Sequence, residues 1–340
     1  MPNILTIKLT GVRITKYTKA ITIGAITIPN ISPNLIHDLF SGDRNFEFIN
    51  PRVKKIKDFW KDFSSNKVAV ISLIIFTLIL FVAVFAPLVS PTDPYDLNTV
   101  SIMNSRLAPF SEDFSGNYFL LGTDGAGRDM VSAIFYGLRV SLGVGVLSGI
   151  FALIIGSFFG ISAAFFGGKY ESVVMRIVDI QLSFPSILVA LIILAAFGKG
   201  VEKTIIALIL VQWAYYARTA RSSALVEINK EYVDAARCLA FSNTRIMFKH
   251  ILPNCMAPLI VVGTLQTAHA ISLEATLSFL GLGLPITEPS LGLLIGNGFE
   301  YMYSGDYWIS IFPGVALLIT VASINLVGDH LRDMFNPRLH

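Results

Sequence analysis

Five polar side chains interrupt stretches that are otherwise apolar: Gln181, Gln212, Gln266, His269 and Glu274. Such groups are costly at hydrocarbon depth, so each must face a helix interface or a wet cavity. Two chemistries suit them, hydrogen bonding between helices and the lining of a path for a polar solute. For the glutamines the interhelical bond is the simpler reading; for Glu274 structural pairing and pathway lining both stand. His269 and Glu274 are separated by about 140° around a helix and need not share a face. Catalysis is not indicated. No Ser, His and acid set converges, the histidines lack metal-ligand spacing, and the remaining Asp and Glu lie in loops rather than in buried pairs.

A second polar group is concentrated in one interval, EYVDAARCLAFSNTRIMFKHILPN, Glu231 to Asn254. From Ser222 to Leu239, Leu225, Ile228, Tyr232, Ala235 or Ala236, and Leu239 recur at helical spacing, with Glu227, Lys230, Glu231, Asp234 and Arg237 on the other faces. The pattern breaks at Ala240-Phe241-Ser242. Ser242 then suits the N-cap of a second helix that Pro253 should end or kink. This predicts helix, turn and helix, with one sticky and one charged side. A third candidate, LGTDGAGRD from Leu121 to Asp129, is rich in glycine but lacks the GK[ST] ending and preceding strand of a phosphate-binding loop, so it reads as a structural turn. Cys238 and Cys255 offer neither a disulfide framework nor a metal site and read as reduced structural thiols.

The elements carrying these residues are membrane helices. The chain is 54% hydrophobic and 14% charged, with mean hydropathy +0.66, far below the roughly 25% charge of soluble domains. A net charge of +3 is too small to argue for nucleic acid. Spans are expected at Val68–Val89, about Val140–Phe165, about Met175–Phe197 with a kink or restart at Pro185, about Thr204–Tyr216, about Ala257–Leu280 and about Trp308–Val327. The second carries Gly145, Gly149, Gly156 and Gly160 near one face, which lets helices approach closely in lipid.

Charge counting orients the chain. Lys and Arg outnumber acids eleven to five through Lys67 and six to three in the loop after the fourth span, whereas residues 281–307 hold three acids and no cation. An all-α membrane protein with six transmembrane helices and both termini cytoplasmic satisfies these counts. The two cations between spans three and four dissent weakly. The expected division is residues 1–50 as an amino-terminal cytoplasmic extension, 51–90 as a basic segment and first span, 91–139 as an extracytoplasmic loop, and 140–340 as a core with a cytoplasmic loop at about 219–256. Within 1–50, Ile4 to Pro29 alternates β-branched residues with Thr and Lys, a small-hairpin pattern. Its terminal position favours a tail or an early start codon, and it lacks a signal-peptide core.

The cytoplasmic stretch resembles the EAA loop of ABC importer permeases: Asp234, Ala235, Ala236, Ala240, Ile251, Leu252 and Pro253 fall in register with the family pattern. FLLGTDGAGRDMVSAIFYGLRVSL, FGGKYESVVMRIVDIQLSFP, EATLSFLGLGLP and INLVGDHLRDMFNPRL are similar to the dipeptide/oligopeptide/nickel group, on the partner bearing LGTDxxGRD. The likeness spans roughly Lys57 to Leu339. It implies the type I importer permease fold and half of a translocation path in the bacterial inner membrane. It also implies a second permease subunit, two ATPase subunits using ATP and Mg, and an external substrate-binding protein. No cofactor or metal is expected on this chain. Glu231, Asp234, Ala235, Ala236, Arg237, Ala240, Phe241 and Arg245 would form the ATPase-coupling surface. The family's glycine is Ala240 here, where the first helix should end in a left-handed residue. Short peptides are the expected cargo; nickel, another small solute, and proton-coupled transport through His269 and Glu274 are the competing readings.

Overall fold

The computed structural model describes residues 59–96, 100–285 and 288–335, and, of the first 58 residues, the backbone of four strands. The strands are β1 (Ile7–Leu9), β2 (Val12–Ile14), β3 (Ile21–Ile23) and β4 (Ile26–Ile28). They pair in order as an antiparallel meander, with Ile7 opposite Ile14 and Thr22 opposite Thr27. The alternation expected to give a small hairpin therefore gives three antiparallel pairings in succession. The basic run Arg52–Lys57 and the final residues of INLVGDHLRDMFNPRL lie outside the described residues. The chain divides into two compact units, Met1–Asp58 and Phe59–His340.

The second unit is built from helices. α1 (Lys67–Val84) is capped by Asn66, whose side chain accepts from the backbone of Val68 and Ala69. After a loop carrying β5 (Ser111–Glu112) and β6 (Tyr118–Phe119) comes α2 (Met130–Phe166), about 55 Å long at 1.5 Å per residue. α3 (Gly168–Leu182) and α4 (Ser186–Phe197) follow, then α5 (Val201–Ile228) and the short α6 (Glu231–Cys238). The chain ends with α7 (Leu252–Phe279), α8 (Leu291–Phe299) and α9 (Trp308–Met334).

Among the described residues, four helical runs are long and apolar enough to cross a membrane: Lys67–Val84, Met130–Phe166, Asn243–Phe279 and Trp308–Met334. α3 and α4 together make a fifth, bent by 92°. Six were expected. α5, read as the fourth span, falls short because Gln212, Arg218 and Arg221 dilute its apolar body. Pro185 acts as a restart: α3 ends before it and α4 begins after it.

α2 and α5 form the main packed pair, with α7 against both. A Cβ on Gly156 would lie 2.4 Å from the Trp213 carbonyl oxygen, and one on Gly160 2.3 Å from that of Ala217. Toward the other end of α2, a Cβ on Gly145 would meet Ile271 of α7 at 2.5 Å, and one on Gly149 would meet Thr267 at 3.2 Å. One glycine stripe thus serves two neighbours in turn. Hydrophobic burial gives little drive between helices in lipid, so this close approach supplies van der Waals contact in its place.

Candidate functional site

The polar interval after α5 folds onto the core rather than hanging from it. α5 stops at Ile228, and α6 restarts at Glu231 after Asn229 and Lys230. The restart resets the helical phase. Val233 and Ala236 are the buried residues of α6, whereas Leu239, expected on the apolar side, is 67% exposed. The two alanines therefore differ: Ala236 packs into the cluster of Ile161, Tyr216, Ile246, Met247 and Leu259, and Ala235 faces outward with Glu231, Asp234 and Arg237. Acids in the first turn and Arg237 in the last suit the helix dipole. Asp234 and Arg237 pair at 3.3 Å, and the Arg237 guanidinium also lies 5.7 Å from the Phe165 ring centroid at the end of α2.

α6 ends at Cys238, and Ala240, the residue after its C-cap Leu239, has a φ of +55°. The Ala240 N–H donates to the Arg237 carbonyl at 2.9 Å and the Phe241 N–H to that of Ala236 at 3.2 Å. This is the paired bonding of a Schellman turn. Phe241 is held between Arg245, 3.9 Å from its centroid, and the His250 ring, stacked at 5.7 Å. Ser242 occupies the N-cap of the helical turn Asn243–Arg245 without the expected side-chain bond. Pro253 neither ends nor kinks the following helix, because it lies in the first turn of α7. Before it, Ile246–Ile251 is a π-helical turn, and the Leu252 N–H reaches back five residues to Met247. The wider turn accommodates a proline that an α-helical interior would not.

A network that sequence reasoning missed anchors this hinge. Glu227, buried at the end of α5, accepts from Lys230 at 2.6 Å and Tyr232 at 2.7 Å, and Asn254 donates to the Tyr232 hydroxyl at 3.3 Å. Burial pushes the Glu227 carboxyl up, but the bonds from Lys230 and Tyr232 and the Lys230 charge together hold it below its ordinary range. Burial, then the Glu227 bond, pushes Tyr232 up to about 12, so the phenol remains a donor. The i,i+3 spacing of Glu227 and Lys230 was the available signal. Arg221–Glu171 at 2.5 Å ties α5 to α3 just above.

The five deep polar residues do not form one site. Gln181 accepts from the Trp213 indole at 2.8 Å and donates to the carbonyls of Leu210 and Val211, fastening α3 to α5. Gln212 donates to the Gln266 carbonyl at 3.4 Å, and the side-chain oxygens of both glutamines are buried without a partner among the described residues. His269 is exposed on α7, whereas Glu274 is fully buried. Glu274 accepts from Ser141 of α2 at 2.8 Å and from Ser278 at 2.7 Å. Ser141 also takes the Leu291 N–H at 3.2 Å, and Ser290 caps α8 through the Leu293 N–H. The carboxylate joins α2 and α7 at the start of α8, and His269 and Glu274 make no direct hydrogen bond to each other among the described residues.

LGTDGAGRD is a closed knot at the other end of α2. Asp124 accepts from the N–H groups of Ala126 and Arg128, both at 2.9 Å, and pairs with the Arg128 guanidinium at 2.7 Å. Asp129 caps α2 through Ser132, and Thr123 bonds Asn104 and Leu107. With these carboxylates satisfied locally, the loop is a structural turn. Among the described residues no group of three or more His, Cys, Asp or Glu is placed to hold a metal ion.

Residues 152–340 match the family described as binding-protein-dependent transport system inner membrane component, and residues 55–109 match the N-terminal TM domain of oligopeptide transport permease C. The chain is 38% identical over 307 residues to the di/tripeptide transport system permease protein DppC of Pseudomonas aeruginosa, covering 90% of this chain and 98% of that one. To the dipeptide transport system permease protein DppC of Escherichia coli K12 it is 40% identical, covering 84% and 93%. To the oligopeptide transport system permease protein OppC of Bacillus subtilis it is 35% identical, covering 91% and 99%. An inward-facing crystal form of the MetNI methionine ABC transporter aligns with TM-score 0.50 at 22% identity, over 61% of this chain and 98% of that one, a likeness of fold.

Proposed function

The chain belongs to the binding-protein-dependent transport system inner membrane components, and from that premise we propose that it forms half of the translocation path of an ATP-driven importer of short peptides. It is a multi-pass inner-membrane permease subunit and has no ATPase site of its own. The peptide cargo is supported by the names of three relatives aligned over 84% or more of this chain. In this reading a second permease completes the path, two ATPase subunits supply ATP and Mg chemistry, and an external binding protein delivers the solute. Six crossings follow if α5 and the bent α3–α4 pair each count as one, with both ends of the chain on the cytoplasmic side. Residues 219–256 then face the ATPase subunits. Residues 1–50 form a separate cytoplasmic extension.

The observation that carries the coupling assignment is the outward face of α6, Glu231, Asp234, Ala235 and Arg237, on a helix whose inner face is locked into α2, α5 and α7. A partner that seats α6 in a groove gains shape from Ala235 and orientation from the charges. Because the inner face is packed, rigid movement of that partner pulls the membrane helices with it. Ala240, Phe241 and Arg245 set the angle at which α6 leaves the core. Gln266 and His269 are the deep residues left to line the path; Gln181, Gln212 and Glu274 serve helix joints.

The test is reconstitution of the complex in proteoliposomes with its binding protein. Dipeptide uptake that requires ATP is the expected result. Uptake driven by a proton gradient alone, or uptake of nickel with no response to peptides, overturns the proposal.

A further inference from the structure

We propose that the pocket between α2 and the start of α5, beside the LGTDGAGRD end of the molecule, is a subsite for the two charged ends of a peptide, with Arg139 facing the carboxylate and Glu288 the amine. The inference rests on the peptide reading above. The cavity measures about 510 Å³ and is lined by Tyr95, Tyr136, Arg139 and Glu288 against an apolar wall that includes Val144 and Ile205. That volume lies within the roughly 300–1,000 Å³ of small-molecule sites, which pair apolar walls with a few placed polar groups.

The composition of the rim is specific. A short peptide carries one amine and one carboxylate, and this rim presents one acid and one guanidinium. Arg139 is exposed and makes no ion pair among the described residues. Its planar fork suits a carboxylate. Glu288 is half-buried and accepts from the Tyr95 hydroxyl at 3.5 Å, a long bond that leaves acceptor capacity for an ammonium. Burial, then the Glu288 charge, pushes the Tyr95 hydroxyl above its ordinary range, which keeps it a donor. The rings of Tyr95 and Tyr136 meet edge to face at 5.4 Å and fix the wall between the two charges. The Tyr95 N–H in turn bonds the Asp93 carboxylate at 2.9 Å, a turn local to that loop. A Cβ at Gly143, one turn beyond Arg139, would meet nothing within 4 Å, so the floor is open.

The experiment uses the whole transporter in proteoliposomes with its binding protein, fed alanyl-phenylalanine, its C-terminal amide or its N-acetyl form. Because the same binding protein serves every variant, its own preferences cancel in the comparison. Arg139→Gln should lower uptake of the free dipeptide roughly tenfold to a hundredfold while changing the amide little. The ratio of acid to amide then falls toward one. Glu288→Gln should do the same to the ratio of free to N-acetylated peptide. An equal fall for all three forms would indicate structural damage and overturn the subsite, as would unchanged ratios. If the Arg139→Gln effect is lost in pure phosphatidylcholine vesicles and present only with phosphatidylglycerol, the guanidinium serves lipid phosphate and the proposal is wrong. ATP-driven wild-type uptake of none of the three forms would instead remove the peptide reading itself.

Discussion

Ala240 holds a left-handed backbone, φ +55°, that glycine adopts freely and an L side chain does not. The cost is on the order of 1 kcal/mol. What sustains it is visible around it: two Schellman hydrogen bonds and the Phe241 ring gripped by Arg245 and His250. Ala240→Gly should therefore raise the stability of the assembled complex by up to about 1 kcal/mol and preserve or improve coupling. Thermal unfolding of the detergent-solubilised complex and ATP-driven uptake read the two effects; a strong loss of transport would refute the turn's assigned role. Glu274 makes the complementary point. Its carboxylate is deep in the helices with serine hydroxyls as partners, so its burial is matched by hydrogen bonds rather than by a counter-charge.

The glycine stripe on α2 shows how an element acquires function from what it lacks. At Gly160 the nearest neighbour of an added Cβ is backbone, the Ala217 carbonyl at 2.3 Å, which cannot swing away. Gly160→Leu should separate α2 from α5 and destabilise the subunit by about 1–3 kcal/mol or prevent assembly. Gly314→Ala in α9, where a Cβ meets nothing within 4 Å, should be tolerated or mildly favourable because alanine is the better helix former. The yield of monodisperse complex for the two variants provides the comparison; equal yields would show that the close approach does not matter. The π turn before Pro253 belongs to the same scale. It lets one helical run continue from Asn243 to Phe279 past a proline that a regular α-helix would not accept.

For the whole molecule, the two ends of α2 divide the labour. One end is fastened by the Asp124–Arg128 knot and the Asp129 cap, and the other meets α6 through Phe165 and Arg237. The cysteines report on this arrangement, because Cys238 is exposed on α6 and Cys255 is buried at the base of α7. In the subunit without ATPase partners, a maleimide should modify Cys238 and leave Cys255 untouched until denaturation. Addition of the ATPase subunits should slow Cys238 labelling by about tenfold or more. Unaltered labelling on assembly would remove α6 from the coupling interface.

The sequence alone determined the features that are local or periodic. Apolar runs gave the expected spans except the fourth, and residue spacing gave the helix and turn of the coupling stretch, whereas the left-handed position at Ala240 was legible only through the resemblance to the family pattern, which has glycine there. The glycine spacing named the stripe but not its two partners. Tertiary structure decided what depends on distant residues. Ser141 and Glu274 are 133 positions apart, and no periodicity announces that a serine on α2 will meet a carboxylate on α7. The restart at Glu231 likewise rephased α6, exposing Leu239 and burying Val233, because helical spacing predicts a face only while the helix is unbroken. The 92° bend at Pro185 follows the same logic: proline interrupts the helix locally, and the packing of α3 and α4 on α5 sets the angle.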